Sequence, residues 1–314
     1  QHNWQTAMAQ PPKGHNWADA PKVVTNINYR SDRIGFHDDG IRQIFVIPAD
    51  GGTARQITNG DNGASAPALS PDGKWIAFSG LREANAENMF RKSHIYAAST
   101  ETAEIKQITH RWGTSGSPSY SPNGKMIAFM AADSVNHSSS AEDKLWIMNA
   151  DGSGAHLVSG TLDRPISGAN WAPDGSGVYF NVESEGSKNF YFATTTGQYR
   201  PVSSGKQRLT VAGAVGKSGL AVGVRSTSTK PNDIVTFTIP ATGTASAFNQ
   251  ITNVNDDVLT GQELATTEEI WYKSKECMKI QGWIMKRYGI EPAKQSPLHS
   301  SVHGGPQARQ YVGT

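Results

Sequence analysis

One five-residue phrase recurs at a fixed distance along the chain, and this repeat restricts the folds that the chain can adopt. The phrase reads Ser-Pro-Asp-Gly-Lys at 70–74, Ser-Pro-Asn-Gly-Lys at 121–125 and Ala-Pro-Asp-Gly-Ser at 172–176. Each copy begins 51 residues after the one before it. Regular spacing of this size is typical of a chain that repeats a single supersecondary unit.

Each copy has the composition of a tight turn that leads into a strand. Proline presets φ at the first central position, Asp or Asn suits the next position, and Gly accepts a positive φ. Short β-type runs follow the turns at 75–78, 126–129 and 178–180. The three turns therefore predict β-hairpins at the same place in each unit.

A second phrase keeps the same spacing and adds another hairpin to each unit. Gln56-Ile57-Thr58 is followed 51 residues later by Gln107-Ile108-Thr109, with a weaker copy at 250–252. Two hairpins give four strands in each unit. Four-stranded units of about this length are characteristic of β-propeller blades, in which radial packing protects the sheet edges.

The repeat therefore predicts an all-β fold, a six-bladed β-propeller, whereas five or seven blades would shift the register by a full unit. In the fifth blade, Gly216-Lys217 stands where the others have Asp-Gly-Lys. A strand near residues 2–8 is expected to complete the last blade and close the ring. The predicted blades span about 1–58, 60–109, 111–159, 163–207, 208–252 and 254–284, and a separate segment covers 285–314.

Composition narrows the partners and the chemistry. The net charge is +2 and no Lys/Arg cluster stands out, so we expect no nucleic-acid partner. The longest apolar runs have the length of a strand, which predicts no membrane span. Cys277 is the single cysteine and cannot form an intramolecular disulfide; beside a predicted strand, it is expected to be at least partly buried. We expect no cofactor, and no metal site is indicated by the scattered histidines.

The chain begins with Gln1 rather than Met. Removal of a signal peptide would account for this first residue. On that ground we expect a periplasmic or secreted protein.

The last part of the sequence carries two further phrases in a definite order. Gln281-Gly282-Trp283-Ile284 is followed by His303-Gly304-Gly305-Pro306. Together with the preceding blades, these phrases resemble the junction between the β-propeller and the α/β-hydrolase domain of the prolyl oligopeptidase family. The likeness is greatest to its bacterial dipeptidyl aminopeptidase and acylaminoacyl-peptidase members. The turns also resemble those of the periplasmic propeller of the Tol system.

The resemblance implies that His303, Gly304, Gly305 and Pro306 are the loop beside the oxyanion hole, where backbone N–H groups approach a developing negative charge. The 314 residues contain no G-x-S-x-G nucleophile elbow, so the Ser, Asp and His of a catalytic triad are not in this sequence. We therefore expect no peptidase activity from these residues alone. Self-association through 285–314 is one way to cover the strand edge that this segment would expose.

Strand order divides the loops between two rims. In an antiparallel four-stranded blade, the first and third turns share one rim, for which we predict a structural role. Residues Leu69, Tyr120 and Trp171 precede these turns at the same spacing, and Trp171 is expected to pack between blades. The other rim collects the long, charged loops on which function concentrates. Its ligand-binding candidates are Arg33, His37, Asp61, Arg111, Trp112, Arg164 and Asp256.

Three functions remain open from the sequence. The first is a propeller that binds a small-molecule, peptide or saccharide ligand without chemistry of its own. The second is a self-sufficient hydrolase, for instance a glycosidase with paired carboxylates, whose candidate catalytic residues are Glu83, Glu87, His110 and Asp163. The third is the propeller part of a serine aminopeptidase; in such enzymes, acidic propeller residues bind the substrate amine, an analogy that applies to Glu83 and Glu87.

Overall fold

The structure is a computed structural model. It describes residues 12–14, 23–24, 27, 29–37, 40–89, 92–111, 113–132, 141–213, 215–245, 247–286, 289 and 297–304. The chain divides into a smaller unit, residues 1–40 and 83–90, and a larger unit, residues 41–82 and 91–314. Among the described residues, strands far outnumber the two short helices, so the prediction of an all-β fold is confirmed.

The smaller unit contains one short hairpin and one helical turn. Strand β1 (Arg30–Ser31) pairs antiparallel with β2 (Gly35–Phe36). A 3-10 helix covers Ala86–Asn88.

The larger unit begins with a two-stranded sheet and continues with two four-stranded antiparallel sheets. The first sheet pairs β3 (Phe45–Val46) with β4 (Arg55–Gln56). The second contains β5 (Ala64–Leu69), β6 (Trp75–Gly80), β7 (His94–Ser99) and β8 (Ile105–Gln107) in chain order. The third contains β9 (Ser115–Tyr120), β10 (Met126–Ala132), β11 (Asp143–Asn149) and β12 (His156–Leu157).

Two more sets of four strands follow and are joined by a single parallel pairing, Lys188 with Arg208. The fourth set is β13 (Ile166–Trp171), β14 (Gly177–Ser184), β15 (Ser187–Thr194) and β16 (Tyr199–Pro201). The fifth is β17 (Arg208–Thr210), β18 (Leu220–Ser226), β19 (Asp233–Thr238) and β20 (Asn249–Gln250). Helix α1 (Asp256–Leu259) leads to a hairpin of β21 (Thr266–Lys273) and β22 (Lys279–Lys286). The number of blades stays a prediction, and the expected strand near 2–8 lies outside the described residues.

Polar contacts hold the last hairpin against the loops of the fourth and fifth sets. The Gln281 amide donates to the carbonyl of Glu185, in the turn between β14 and β15, at 3.1 Å. The Lys206 ammonium lies 2.6 Å from a carboxylate oxygen of Glu269. No residue of β21 or β22 is fully buried, so these contacts, rather than a core, position the hairpin.

The successive sheets pack face to face, and β10 shows how. Phe129 belongs to a buried cluster with Ile95 of the second sheet. Met130, the next residue, belongs to a different cluster with Phe180 of the fourth set. Because successive side chains of a strand point to opposite faces, both faces of the third sheet are buried between its neighbours. This packing explains why the central strand is a continuous apolar run rather than an alternating one.

A hydroxyl group closes the second hairpin of each of five successive units, and its residue is buried in the first four of them. In each unit a Ser or Thr two residues after the fourth strand accepts a hydrogen bond from a backbone N–H that lies just before the third strand or within its first four residues. We call this contact the hydroxyl clasp. It joins Ile44 to Thr58 (2.8 Å), Ile95 to Thr109 (2.8 Å), Leu145 to Ser159 (3.2 Å), Phe190 to Ser203 (2.9 Å) and Ile234 to Thr252 (2.9 Å). The clasp explains the terminal Thr of the Gln-Ile-Thr phrase.

The predicted turn geometry is confirmed at the three repeated phrases. Asp72 accepts a hydrogen bond from the Lys74 backbone N–H at 3.1 Å, and Gly73 has a φ of 72°. Asn123 and Asp174 make the equivalent contacts in their own turns. Each of these residues therefore organises the turn in which it lies.

The alignment of the fifth unit's turn with the three repeated turns was wrong. The N–H of Gly219 donates to the carbonyl of Gly216 at 2.8 Å, as that of Gly73 donates to Ser70. Gly219 also has the positive φ, 78°, that the turn requires. Gly216 therefore occupies the position of the serine, and Gly219 is the turn glycine.

The expectation for Cys277 was also wrong. Its side chain is exposed, and its φ of 63° places it in the turn between β21 and β22 rather than beside a packed strand face. Within the described part of the chain, no helix has both the length and the apolar character needed to cross a membrane.

The hydroxyl clasp can be tested at Thr109, which is 4% exposed. Thr109→Val keeps the side-chain shape but leaves the Ile95 N–H buried without an acceptor, which costs about 1–3 kcal/mol. We expect urea denaturation to show a loss of this size. The control Thr102→Val changes an exposed turn threonine and should alter stability by less than about 0.5 kcal/mol. Equal effects of the two substitutions would contradict a structural role for the clasp.

Candidate binding site

A cavity of about 530 Å³ lies among the turns that join the first two strands of successive units. Its walls include the last residues of β5, β9 and β13, namely Leu69, Tyr120 and Trp171. The prolines of the three repeated turns, Pro71, Pro122 and Pro173, also line it. We call this space the turn cavity. The same position of the repeat thus contributes to it from one unit after another.

Contacts between neighbouring turns explain why these residues come together. A methyl group added at Gly124 would lie 3.4 Å from Pro71 Cδ, and one added at Gly175 would lie 4.0 Å from Pro122 Cδ. The proline of each turn therefore packs against the glycine of the next turn. Because the spacing is constant, the residues that precede the prolines are brought to one edge of the larger unit.

Trp171 is a fixed wall of the turn cavity. It is 7% exposed and belongs to the cluster between the third and fourth sheets, which confirms its predicted place between blades. Its indole N–H donates to the carbonyl of Ser119 in the preceding sheet at 2.9 Å. With its polar atom already paired, Trp171 presents an apolar surface.

Tyr120 combines an aromatic ring with a hydroxyl group that stays protonated. Its side chain is half-buried at the end of β9. Burial raises the pKa of Tyr120 to about 12, and the negative charge of Asp72 adds to the increase. The hydroxyl is therefore neutral, and able to donate a hydrogen bond, throughout the physiological pH range.

The other polar residues of the lining are Ser119, Ser121, Asn170 and Lys217. The Asn170 amide nitrogen is buried and has no hydrogen-bond partner in the part of the chain that the structure describes. Lys217 lines the cavity from the fifth turn and is exposed. The cavity thus has largely apolar walls, to which Tyr120 and Lys217 add polar groups, and this is the usual composition of a ligand pocket.

The sequence-predicted residues of the second loops lie in the smaller unit. His37 Nε2 is 2.6 Å from the hydroxyl oxygen of Ser31, and Arg33 has a positive φ of 69° in the turn between β1 and β2. Glu87 is exposed within the 3-10 helix, and Glu83 is half-buried. Their roles in binding or catalysis remain predictions.

The sequence-predicted link residues lie in the larger unit. The Arg111 guanidinium stacks on the Trp146 ring, 3.6 Å from its centroid, and Arg164 Nε donates to the Ser184 hydroxyl at 3.1 Å. Asp256 is the first residue of α1. His110, Asp163, Asp61 and Asp256 are all exposed.

Within the described residues, the candidate catalytic side chains do not come together in one place. Among them, the side chains of His110 and Asp163 do not contact each other, and Glu83 and Glu87 belong to the other unit. His303 and Gly304 are exposed and outside any strand or helix, whereas Trp112, Gly305 and Pro306 lie outside the described residues. Across the described ranges, no group of three or more His, Cys, Asp or Glu residues is arranged to hold a metal ion.

The sequence signal for the turn cavity was the shared spacing of Leu69, Tyr120 and Trp171. That spacing was interpreted only as structural. The interpretation is sound for Trp171, which is buried, but Leu69 is 59% exposed and Tyr120 is half-buried. One position of the repeat changes from Leu to Tyr to Trp, whereas the turn that follows it is retained. This variation was the sequence signal that could have indicated a site.

Comparisons with known proteins agree with the fold. No protein-family model matches the chain. The uncharacterized peptidase YuxL of Bacillus subtilis is 23% identical over an aligned length of 305 residues, and the alignment covers 91% of this chain and 45% of YuxL. Dipeptidyl-peptidase 5 of Porphyromonas gingivalis is 26% identical over 242 residues, 76% of this chain and 34% of that protein. The chain therefore spans less than half the length of these curated relatives.

Among solved structures, TolB from Acinetobacter baumannii aligns with a TM-score of 0.51 and 19% identity, covering 67% of this chain and 48% of that one. This likeness concerns the fold alone. The sheets and the comparison define an all-β protein of the propeller type. These relatives support the resemblance to the prolyl oligopeptidase family that the sequence indicates.

The turn that borders the cavity predicts a measurable pH dependence. Hydrogen bonds from the Ser70 hydroxyl and then from the Lys74 N–H hold the pKa of Asp72 below its ordinary value. Because the folded pKa is the lower one, the charge stabilises the fold above the unfolded pKa, and this contribution is lost as the pH falls through the folded value.

We expect Asp72→Asn to weaken the loss of stability between about pH 5 and pH 2, measured by urea denaturation at each pH. Stability near pH 7 should change little, because Asn123 already organises the equivalent turn. The control is Asp50→Asn, which removes the same charge from an exposed aspartate in another turn. Identical profiles for Asp72→Asn and the unmodified chain would contradict this account.

Proposed function

We propose that this chain is a peptide-binding propeller of a prolyl-oligopeptidase-family protein. In this proposal residues 1–284 form the propeller, and residues 285–314 are the beginning of an α/β-hydrolase domain. The two relatives are named as peptidases, which supports peptides as the ligand class. A periplasmic or secreted location, expected from the sequence, is part of the same proposal.

The turn cavity is the observation that carries this proposal. Its volume of about 530 Å³ is within the range of about 300–1,000 Å³ that is typical of ligand pockets. Leu69, Pro71 and Pro122 give it exposed apolar surface against which peptide side chains can pack. The packing of each proline on the next turn keeps this surface in place before a ligand arrives, which lowers the entropic cost of binding.

Binding without cleavage is the second part of the proposal. The 314 residues have no nucleophile elbow, and an oxyanion loop without a nucleophile and a base has no tetrahedral intermediate to stabilise. The self-sufficient hydrolase is not favoured by any described contact among Glu83, Glu87, His110 and Asp163. Ligand contacts on the loop-rich rim, from the residues named above, remain predictions.

We expect Tyr120→Ala to weaken peptide binding about ten-fold, because an aromatic wall of the cavity is removed. Titration calorimetry with a set of N-acetylated peptides that carry apolar residues measures this change. Tyr120→Phe keeps the ring and separates its contribution from that of the hydroxyl. The control Tyr272→Ala removes a tyrosine of β21 that is 53% exposed and does not line the cavity.

Loss of affinity in both alanine variants, or in neither, would contradict binding in the turn cavity. Circular dichroism of each variant shows whether the fold is retained. The same protein, incubated with chromogenic peptide substrates, should release no product. Turnover by the unmodified chain would overturn the proposal of binding without cleavage.

A further inference from the structure

A basic side chain of the fourth strand joins one unit to the next at an equivalent position of the repeat. The Arg55 guanidinium donates to the carbonyl of Thr100. The Arg200 guanidinium donates to the carbonyls of Pro240 and Gly243, each at 3.0 Å. In both cases the carbonyls belong to the connection between the third and fourth strands of the following unit. We call this contact the basic latch. Its position lies three residues before the hydroxyl of the clasp and holds Arg55, Lys106, His156 and Arg200 in the first four units.

His156 makes the latch between the third and fourth units with both nitrogens of its ring. Nε2 lies 2.8 Å from the carbonyl oxygen of Thr195, in the turn between β15 and β16. Nδ1 lies 2.9 Å from the carbonyl oxygen of Gly154, in the hairpin of His156 itself. Carbonyl oxygens only accept hydrogen bonds, so both contacts are hydrogen bonds only when both nitrogens carry a proton. In the neutral ring, one nitrogen is an acceptor and its lone pair faces a carbonyl oxygen.

The residue type decides whether a latch depends on pH. Arg55 and Arg200 stay charged at every physiological pH, so their latches keep their donors. Histidine is the side chain whose charge ordinarily changes between about pH 5 and pH 8. Lys106 has its described contacts within its own unit, with Glu104 at 3.4 Å and with a ring of the neighbouring strand at 5.1 Å. Among Arg55, His156 and Arg200, the hydrogen bonds of His156 are therefore the ones that depend on protonation.

We propose that His156 is a pH-dependent latch between the third and fourth units. The latch is complete when the ring carries both protons, and it weakens as the pH rises because one nitrogen loses its hydrogen bond. This sign is opposite to that of Asp72, whose contribution to stability is lost as the pH falls. The inference concerns the scaffold and holds whether or not a ligand occupies the turn cavity.

The charged groups of the third unit leave this pH dependence to His156 itself. Asp151, in the same hairpin, accepts hydrogen bonds from the backbone N–H of Ser153 at 2.9 Å and from its hydroxyl at 2.7 Å. On β11, which pairs with β12, Asp143 and Lys144 lie at the end of the strand opposite to His156. The carboxylate in the hairpin of His156 is therefore already hydrogen-bonded by its own turn.

The charged groups of the fourth unit are also directed elsewhere. The turn from Thr194 to Gln198, which His156 contacts, carries no charged side chain. Lys188 lies at the other end of β15 and pairs with Glu183 at 3.5 Å. On β16, Arg200 is held by the fifth unit. The Tyr199 ring packs against the link that follows β12, and this contact holds the two units together at every pH. The latch therefore modulates a joint that has other contacts.

Urea denaturation of the complete 314-residue chain at about pH 5.5 and pH 8 tests the latch. We expect His156→Gln to lower the folding equilibrium constant about three- to five-fold at the lower pH and to change it little at the higher pH. His156→Arg places in the third unit the residue type that the first and fourth units have. It should be as stable as the unmodified chain at the lower pH and more stable at the higher pH. The control His110→Gln removes another exposed histidine and should leave the pH profile unchanged.

A local measurement keeps the test decisive if the units do not unfold together. Hydrogen exchange followed by mass spectrometry compares each variant with the unmodified chain at one pH, so that intrinsic exchange rates cancel. In His156→Gln, exchange in the turn from Thr194 to Gln198 should increase about three-fold at pH 5.5 and be unchanged at pH 8. The turn at Thr100, which Arg55 holds, is the internal control and should exchange equally in both proteins at each pH.

Three results would overturn the inference. An equal loss of stability in His156→Gln at the two pH values would show a contact that does not depend on protonation. No loss of stability together with unchanged exchange in the turn would show that the two hydrogen bonds contribute nothing. A His156→Arg variant that retained the pH dependence of the unmodified chain would assign that dependence to other groups.

Discussion

The burial of each sheet between two neighbouring sheets is the constraint on which the rest of this structure depends. A four-stranded sheet with two apolar faces cannot be stable alone, because both faces must be removed from water. In the third sheet, Phe129 packs toward the second sheet and Met130 packs toward the fourth. Each unit is therefore stabilised by the unit before it and the unit after it.

Packing between sheets also decides where a site can form. The proline of one turn contacts the glycine of the next, so successive turns are held in a fixed relation. Leu69, Tyr120 and Trp171 occupy one position of the repeat, and their side chains differ while the hydrogen bonds of the turns stay the same. The scaffold is thus constant and its lining is variable. This separation allows a repeat protein to change its ligand without changing its fold.

Local interactions were the predictable ones. Asp72 and Asn123 organise their own turns through a backbone N–H two residues away, and short-range contacts of this kind are visible in the residue types. The hydroxyl clasp escaped prediction because Thr109 and Ile95 are 14 residues apart. The fifth turn was misaligned because Gly216 and Gly219 both fit a turn, and only the backbone geometry distinguishes them. The exposure of Cys277 depended on where a hairpin turn falls, and the boundaries of strands are the least certain part of a sequence-based prediction.

The sequence by itself determined the all-β architecture, the repeated turns and the family resemblance, because each depends on residue types at regular spacing. It also showed that the chain has no nucleophile elbow. Only the tertiary structure decided that Tyr120, Asn170 and Lys217, from three different units, line one cavity. It also showed that the amide of Asn170 is buried without a partner in the described structure. These properties depend on how the sheets pack against each other. The order of residues along the chain does not give the distances between side chains of different units.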